Sequence, residues 1–169
     1  MTTIPEIRRT TRDDAGGLLE LYRAAGESGG LARRLHEVEP RHIAYYLDHS
    51  LNTGLSLVAV DAGRILGELH GWPMEPEQFA HVLSDVTIAV HPDAQGRGVG
   101  RRLFDAFMAR VRTDMPHIRR IELGCRESNV RAIRLYESVG FIAEGRLKNR
   151  VYDPAGFYED DLLMGLILP

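Results

Sequence analysis

Residues 85–104 read DVTIAVHPDAQGRGVGRRLF and join a predicted strand to a predicted helix through a glycine-rich loop. Its first part is rich in β-branched residues that alternate with others, which is typical of a strand. Its last part opens a run of apolar residues at helical spacing. The loop Gln95-Gly96-Arg97-Gly98-Val99-Gly100 stands between them. Glycines permit positive φ, and the first N–H groups of a helix have no partner within it, so the loop is predicted to bind an anion.

The glycine loop fits two common nucleotide-binding patterns poorly. A dinucleotide fold uses Gly-x-Gly-x-x-Gly with an acidic residue about 20 positions later, and a phosphate-transfer loop ends in Gly-Lys-Ser/Thr. This loop is Gly-x-Gly-x-Gly and follows a predicted hairpin. A diphosphate remains the expected ligand, with added charge from Arg97, Arg101 and Arg102. The alternative is a glycine-rich turn that packs on the sheet and binds nothing.

Length and composition indicate an ordinary globular protein. The 169 residues suit one domain, expected to span residues 1–169. With 44% hydrophobic and 27% charged residues and a net charge of −3, no general attraction to nucleic acid or an anionic membrane is expected. The single cysteine, Cys125, fits a reducing compartment. Because we find neither an apolar run of about 20 residues nor a secretion signal, we expect a cytoplasmic enzyme-sized domain.

The spacing of apolar residues predicts the element order β-α-α-β-β-β-α-β-α-β-β. This order belongs to the α/β class, with a mixed sheet covered by helices. Residues 31–51 are predicted to be helical, with a second helix start at Glu39-Pro40. Asp85 is expected to begin the strand that leads to the glycine loop. Asn129 is expected to cap a later helix that Gly140 closes.

Two sequence blocks resemble one known family. Gln95-x-x-Gly98-x-Gly100, preceded by the strand that ends at His91-Pro92, resembles the acetyl-CoA signature of the GNAT superfamily of N-acetyltransferases. The block Asn129-x-x-Ala132-Ile133-x-Leu135-Tyr136-x-x-x-Gly140-Phe141 resembles the motif that follows in that family. The predicted element order is similar to the GNAT fold. Residues 144–164 resemble the subgroup that acts on free amino acids and similar small amines.

The resemblance implies acetyl-CoA as cosubstrate and places the residues that would hold it. The backbone of Ile88 and Val90 would face the pantetheine arm, and the N–H groups from Gln95 to Arg101 would hold the pyrophosphate. Asn129 would meet the pantetheine or the nearby CoA chain. Tyr136 would stand near the sulfur. The cofactor-binding residues are therefore expected to be Ile88, Ala89, Val90, Gln95, Gly96, Arg97, Gly98, Val99, Gly100, Arg101 and Asn129.

Acyl transfer to an amine needs a base for the amine, donors for the oxyanion and an acid for the leaving thiolate. Tyr136 is the expected acid, and its alternative role is that of a core tyrosine. Asp85 is the first choice for the base, because side-chain alternation places it on one face with Thr87 and Ala89. Some GNAT members that resemble herbicide-amine acetyltransferases carry an acid at the matching place. Glu68 is the second choice, and the remaining alternatives are His70, His81 and His91.

The expected reaction moves an acetyl group from acetyl-CoA to a primary amine, with an amino acid or another small amine as acceptor. An acceptor on a protein N-terminus or lysine, or a regulatory module that binds acyl-CoA without turnover, are the alternatives. The histidines lack metal-ligand spacing, so no metal is expected. The chain is also expected to self-associate as a homodimer.

Overall fold

The computed structural model describes residues 4–27 and 31–169, and these contain seven strands and four α-helices. The elements are β1 (Glu6–Arg9), α1 (Ala15–Glu27), α2 (Pro40–Asn52), β2 (Leu55–Asp61), β3 (Arg64–Pro73), β4 (Val82–Val90), α3 (Val99–Asp114), β5 (Arg120–Arg126), α4 (Val130–Ser138), β6 (Ile142–Tyr152) and β7 (Tyr158–Ile167). The predicted order of elements is confirmed.

The strands form one seven-stranded mixed sheet in the order β1-β2-β3-β4-β5-β7-β6. β1 with β2, β2 with β3, β5 with β7 and β6 with β7 are antiparallel pairs. β4 and β5 are parallel, and their register joins Val82 to Arg120 and Leu83 to Ile121. This arrangement confirms the predicted α/β class with a mixed sheet.

The chain divides into two compact units, and the first unit comprises Met1–Trp72 with Val86–Pro116. Successive residues of a strand point to opposite faces of the sheet, so neighbouring residues of β3 contact helices on opposite faces. Glu68 contacts Tyr22 of α1 on one face. On the other face, a Cβ added at Gly67 would lie 2.9 Å from Cδ1 of Leu103 and 3.1 Å from Cγ1 of Val99, both in α3. The glycine therefore lets α3 approach the sheet closely.

The second unit comprises Pro73–Asp85 with His117–Pro169. The N–H of Gly156 donates to the carbonyl of Asp153 at 2.9 Å, which closes the turn between β6 and β7. Asn129 caps α4, because its Oδ1 accepts the N–H of Ala132 at 3.2 Å. Gly140 follows the helix with φ of 104°. The predicted cap and glycine stop are both confirmed.

Two local predictions are wrong. Residues 31–39 contain a short 3-10 turn, Leu35–Glu37, and the α-helix begins only at Pro40. The strand predicted to begin at Asp85 begins at Val82. Asp85 lies inside the strand with φ of 52°, outside the extended region, so simple alternation of side chains is not carried across it.

Replacing Gly67 with alanine should lower the free energy of unfolding by about 1–3 kcal/mol, because the new Cβ would crowd Leu103 and Val99 in a packed core. Gly16→Ala is the matched control, since a Cβ at Gly16 meets nothing within 4 Å and alanine favours helix. Urea unfolding of both variants checks this. Equal midpoints for the two variants would contradict close packing of α3 on β3.

Candidate functional site

The glycine loop takes the backbone conformation that its sequence predicts. Gly96 and Gly98 have φ of 73° and 75°, and a Cβ at either would meet nothing within 4 Å. Gly98 is the N-cap of α3, and its carbonyl accepts the N–H of Arg102 at 3.1 Å. In an α-helix the N–H groups that precede this bond have no partner within the helix and carry partial positive charge. The loop thus combines room for a ligand with an electropositive helix end.

Side chains around the loop add structure as well as charge. The Gln95 amide donates to the carbonyl of Val90 at 3.2 Å, which ties the loop to the end of β4. The Arg97 guanidinium donates to the carbonyl of Asp93 at 3.4 Å and is exposed. Arg101 pairs with Asp105 at 3.0 Å, one turn along α3. Three loop residues predicted to meet a cofactor therefore already have protein contacts that orient them.

β4 supplies the strand backbone predicted to face the pantetheine arm. Ala89 is 2% exposed and belongs to the core cluster of the first unit. Ile88 and Val90 on either side of it are half-buried. Asp85 is exposed, and the Ser84 hydroxyl donates to its carboxylate at 3.4 Å. A non-glycine residue at positive φ stores backbone strain, and such strain often marks functional positions.

Tyr136 of α4 is 7% exposed, and its ring centroid lies 6.1 Å from that of Phe141. Burial raises the pKa of Tyr136, and the neighbouring Cys125 raises it further. The phenol therefore keeps its proton at neutral pH, as an acid that protonates a leaving thiolate must. Tyr136 is therefore packed like a core residue and is also protonated, as a proton donor to the thiolate must be.

Cys125 lies at the end of β5 and is 6% exposed. Burial first, and then the charge of Asp161, raise the pKa of its thiol to about 11. The thiolate is the nucleophilic form of cysteine, so this residue is poorly suited to carry an acyl group. Direct attack by the acceptor amine fits this chemistry better than an acyl-cysteine intermediate.

Glu68 of β3 is fully buried and hydrogen-bonded. The Tyr22 hydroxyl donates to Oε2 at 2.7 Å, and the Ser56 hydroxyl donates to Oε1 at 2.6 Å. Nδ1 of His70 lies 3.0 Å from Oε2. Buried carboxylates persist in proteins when several partners compensate their desolvation, and Glu68 has three. Sequence reasoning singled out Glu68 and His70 separately and missed that they form one buried cluster.

Aromatic rings extend this cluster toward α2. The ring of His70 is nearly parallel to those of Tyr46 and Trp72, with centroid distances of 4.3 and 5.5 Å. His42 lies edge-on to Tyr46 at 5.7 Å, and its Nδ1 has no hydrogen-bond partner among the described residues. Burial, followed by the charges of Arg33 and His70, lowers the pKa of His42 to about 4. The ring is therefore neutral at physiological pH.

The predicted site residues fall into two groups, one in each unit. Glu68, residues 88–90 and the loop 95–101 lie in the first unit. Asp85, Asn129 and Tyr136 lie in the second. Across the described ranges 4–27 and 31–169, no group of three His, Cys, Asp or Glu residues could hold a metal ion. Within the same ranges, no helix combines the length and apolar character needed to cross a membrane.

Sequence reasoning gave no role to one further carboxylate. Asp161 of β7 is 15% exposed, and its Oδ2 lies 3.2 Å from where a Cβ of Gly124 in β5 would stand. Both residues belong to the second unit. An acidic residue on one strand beside a glycine on the neighbouring strand could have indicated this carboxylate as a candidate site residue. That pattern can be recognised only when the register of the two strands is known.

The sequence matches a known family over most of its length. The model of the acetyltransferase (GNAT) family matches residues 18–141. The chain belongs to this family. The expectation raised by the two sequence blocks is confirmed, and the fold agrees with it.

Two ribosomal-protein-alanine N-acetyltransferases are similar to this chain. A [ribosomal protein bS18]-alanine N-acetyltransferase from Salmonella typhimurium is 39% identical over 88 residues, which are 50% of this chain and 57% of that protein. The chain thus matches little more than half the length of this curated relative. A ribosomal-protein-alanine N-acetyltransferase from Brucella melitensis has a crystal structure with a TM-score of 0.84 and 29% identity, covering 96% of this chain and 99% of that one.

A third relative shares the fold and was crystallised with acetyl-CoA. It is a GNAT superfamily phosphinothricin acetyltransferase from Sinorhizobium meliloti, with a TM-score of 0.83 and 19% identity, covering 98% of this chain and 89% of that one. At that identity the likeness extends to the fold alone.

Alkylation of Cys125 should be slow at neutral pH and rise about tenfold per pH unit until it levels off near the thiol pKa of about 11. An ordinary thiol levels off near pH 8.5. Intact-mass spectrometry after timed exposure to iodoacetamide measures the rate, with a cysteine-containing peptide as the reference. A plateau below pH 9 would contradict the raised pKa.

Proposed function

We propose that the protein is an N-acetyltransferase that moves the acetyl group of acetyl-CoA to a primary amine. The observation that carries the proposal is the glycine loop at the start of α3. Two positive-φ glycines with open space at their Cβ positions precede a helix whose first N–H groups point outward. Membership of the acetyltransferase family and a fold relative that holds acetyl-CoA support this cosubstrate. On this proposal residues 1–169 act as one acetyltransferase domain.

In this proposal the backbone does most of the cofactor binding. The N–H groups from Gln95 to Arg101 hold the pyrophosphate, and β4 residues 88–90 line the pantetheine. Asn129 contacts the same arm while its Oδ1 caps α4. Arg97 supplies exposed positive charge beside the diphosphate. Because these contacts use backbone groups at a helix start, they recognise charge and shape rather than one particular acyl chain.

The transfer itself needs no covalent enzyme intermediate. The amine attacks the thioester carbonyl, a backbone N–H of β4 donates to the oxyanion, and Tyr136 gives a proton to the departing thiolate. Among the residues singled out from the sequence, Asp85 is the first candidate for the base, supported by its exposure and its strained backbone within β4. Glu68 remains the second candidate, although full burial and three hydrogen-bonding partners separate its carboxylate from solvent.

Two acceptor classes are proposed. A small amine or amino acid is favoured by the resemblance of residues 144–164 to family members that act on such substrates. The N-terminal amine of a protein that begins with alanine is favoured by the names of two relatives, one of them similar over 96% of this chain. The cytoplasmic location and the homodimer expected from the sequence stay predictions.

The loop assignment is tested by Gly98→Glu, which should weaken acetyl-CoA binding at least about 100-fold by placing a carboxylate beside the diphosphate. Gly156→Glu is the matched control, because Gly156 also has positive φ and open space at its Cβ position. Both variants place a glutamate at a positive φ, 75° at position 98 and 93° at position 156, so the comparison tests the position of the new charge. Isothermal titration calorimetry with acetyl-CoA measures the dissociation constants, and equal affinities would exclude this loop as the diphosphate site.

The reaction is tested by thiol release from acetyl-CoA with free amino acids, polyamines, aminoglycosides, lysine peptides and peptides with N-terminal alanine. At least one primary amine should be acetylated, and Tyr136→Phe should lower kcat about 100-fold without weakening acetyl-CoA binding. Tyr45→Phe is the control, because Tyr45 is 54% exposed and lies in α2. Binding of acetyl-CoA with no turnover across the panel would instead support the regulatory module.

A further inference from the structure

The second unit holds a carboxylate placed at an accessible end of the sheet. Asp161 of β7 stands opposite Arg126 of β5 in the strand register. Its carboxylate lies over Gly124, where Oδ2 and Oδ1 are 3.2 and 3.6 Å from the position of a Cβ. Gly124 is exposed. The missing side chain therefore leaves room for the carboxylate and keeps the space beside it open to solvent and to small groups.

The charges around Asp161 leave it available as a proton acceptor. Arg150 of β6 pairs with it at 3.3 Å but is 58% exposed, so solvent screens the pair. Burial raises the pKa of Asp161, Arg150 opposes this effect, and Glu159 adds to it. A carboxylate with a raised pKa holds an abstracted proton better than an ordinary one.

Asp160, the next residue in the strand, shows the contrast. It accepts the N–H of Asn149 at 3.0 Å and pairs with Arg146 at 3.4 Å. The backbone hydrogen bond, followed by the hydrogen bond from Arg146, lowers the pKa of Asp160. Two adjacent aspartates on opposite faces of β7 thus differ in the property that a base requires, while their side chains are identical.

Asp161 is also close to the elements that carry the proposed acid. Cys125 follows Gly124 in β5, and its Sγ lies 4.0 Å from the carbonyl of Asn129 at the start of α4. The charge of Asp161 contributes to the raised pKa of Cys125, and Cys125 contributes to the raised pKa of Tyr136.

We propose that Asp161 binds the ammonium group of the acceptor beside Gly124 and takes its proton, which makes it a catalytic residue. This inference rests on the proposed acetyltransferase function and assigns the role of base to Asp161 in place of Asp85 and Glu68. The ammonium passes one proton to the carboxylate, the neutral nitrogen bonds to the thioester carbon, and the nitrogen releases its second proton to water. The C–S bond breaks, the thiolate takes the Tyr136 proton, which water replaces, and Asp161 releases its proton to water. One acetyl group moves and one net proton is released.

The test uses the acceptor that gives the highest turnover in the amine panel. Asp161→Asn should lower kcat at least about 100-fold while the affinity for acetyl-CoA stays unchanged. Asp161→Glu should restore part of the rate. Gly124→Ala should give an intermediate loss, because its Cβ would displace the carboxylate by a few tenths of an ångström. Asp160→Asn is the matched control and should keep the wild-type rate.

The pH profile separates a base from a structural residue. Wild-type kcat/KM should fall on the acid side as Asp161 is protonated, and this limb should be absent in Asp161→Asn. The charged and titratable groups that face Asp161 are Arg126 and Cys125 of β5, Arg150 of β6 and Glu159 of β7. Glu159→Gln should leave the acid limb in place, shifted to lower pH, because it removes a negative charge that raises the pKa of Asp161.

Wild-type rate and pH profile in Asp161→Asn would overturn the role of Asp161 and leave the proposed function standing. An equal loss in Asp160→Asn would also overturn it, because the cause would then be the ion pairs of the strand. Absence of turnover by the wild type with every acceptor would overturn both proposals together. If Asp161→Asn loses its circular dichroism signal, Asp161→Glu and Gly124→Ala decide, and a wild-type rate in Gly124→Ala counts against the inference.

Discussion

The fully buried carboxyl group of Glu68 holds several elements of the first unit together through its hydrogen bonds. A buried polar group that loses its hydrogen-bond partners is strongly destabilising, so these partners must stay in place. Those partners come from three different elements: Tyr22 from α1, Ser56 from β2 and His70 from β3. The Thr10 hydroxyl lies 2.6 Å from that of Ser56 and extends the network to the end of β1. Hydrogen bonds as well as apolar burial therefore determine how β1, β2 and β3 pair and where α1 packs.

On the opposite face of β3, Gly67 has no side chain that would keep a helix at a distance. Gly67 lets α3 approach β3, and α3 begins at the loop whose backbone carries the proposed diphosphate contacts. The helix end is therefore fixed by packing along its length, and a ligand bound there would meet donors that are already oriented. Preorganised donors bind charge without the cost of ordering flexible groups.

Much of the fold could be predicted because its causes are local. Strand and helix periods, the Asn129 cap and the glycines at 96, 98 and 140 each depend on a few neighbouring residues. The failures have physical reasons as well. Leu31 and Val38 are buried in the core although residues 31–39 form only a short 3-10 turn, so tertiary packing overrides the helical spacing of this segment. The positive φ at Asp85 could not be predicted, because aspartate adopts this conformation more often than most residues but still only occasionally.

Non-local arrangements lay beyond sequence reasoning for a different reason. Tyr22 and Glu68 are 46 positions apart, and the residues next to each of them in the sequence do not predict their hydrogen bond. The position of Asp161 over Gly124 depends on the register between β5 and β7, and a shift of one residue would turn the carboxylate to the other face. The glycine loop could be predicted because its backbone groups come from consecutive residues. Clusters of side chains from different strands could not be predicted, because they form only when the sheet brings those strands together.

The neutral ring of His42 makes the fold responsive to mild acid. Its pKa is about 4 in the folded chain, against an ordinary value of 6.5. Between these values the unfolded chain binds more protons at this position than the folded one, so proton uptake favours unfolding. The contribution of His42 to stability is complete above about pH 6.5 and is lost as the pH falls toward 4. Because His42 of α2 is half-buried and its ring centroid lies 5.6 Å from that of Tyr22 in α1, acidification of the surroundings acts directly on the packing of α2 against α1.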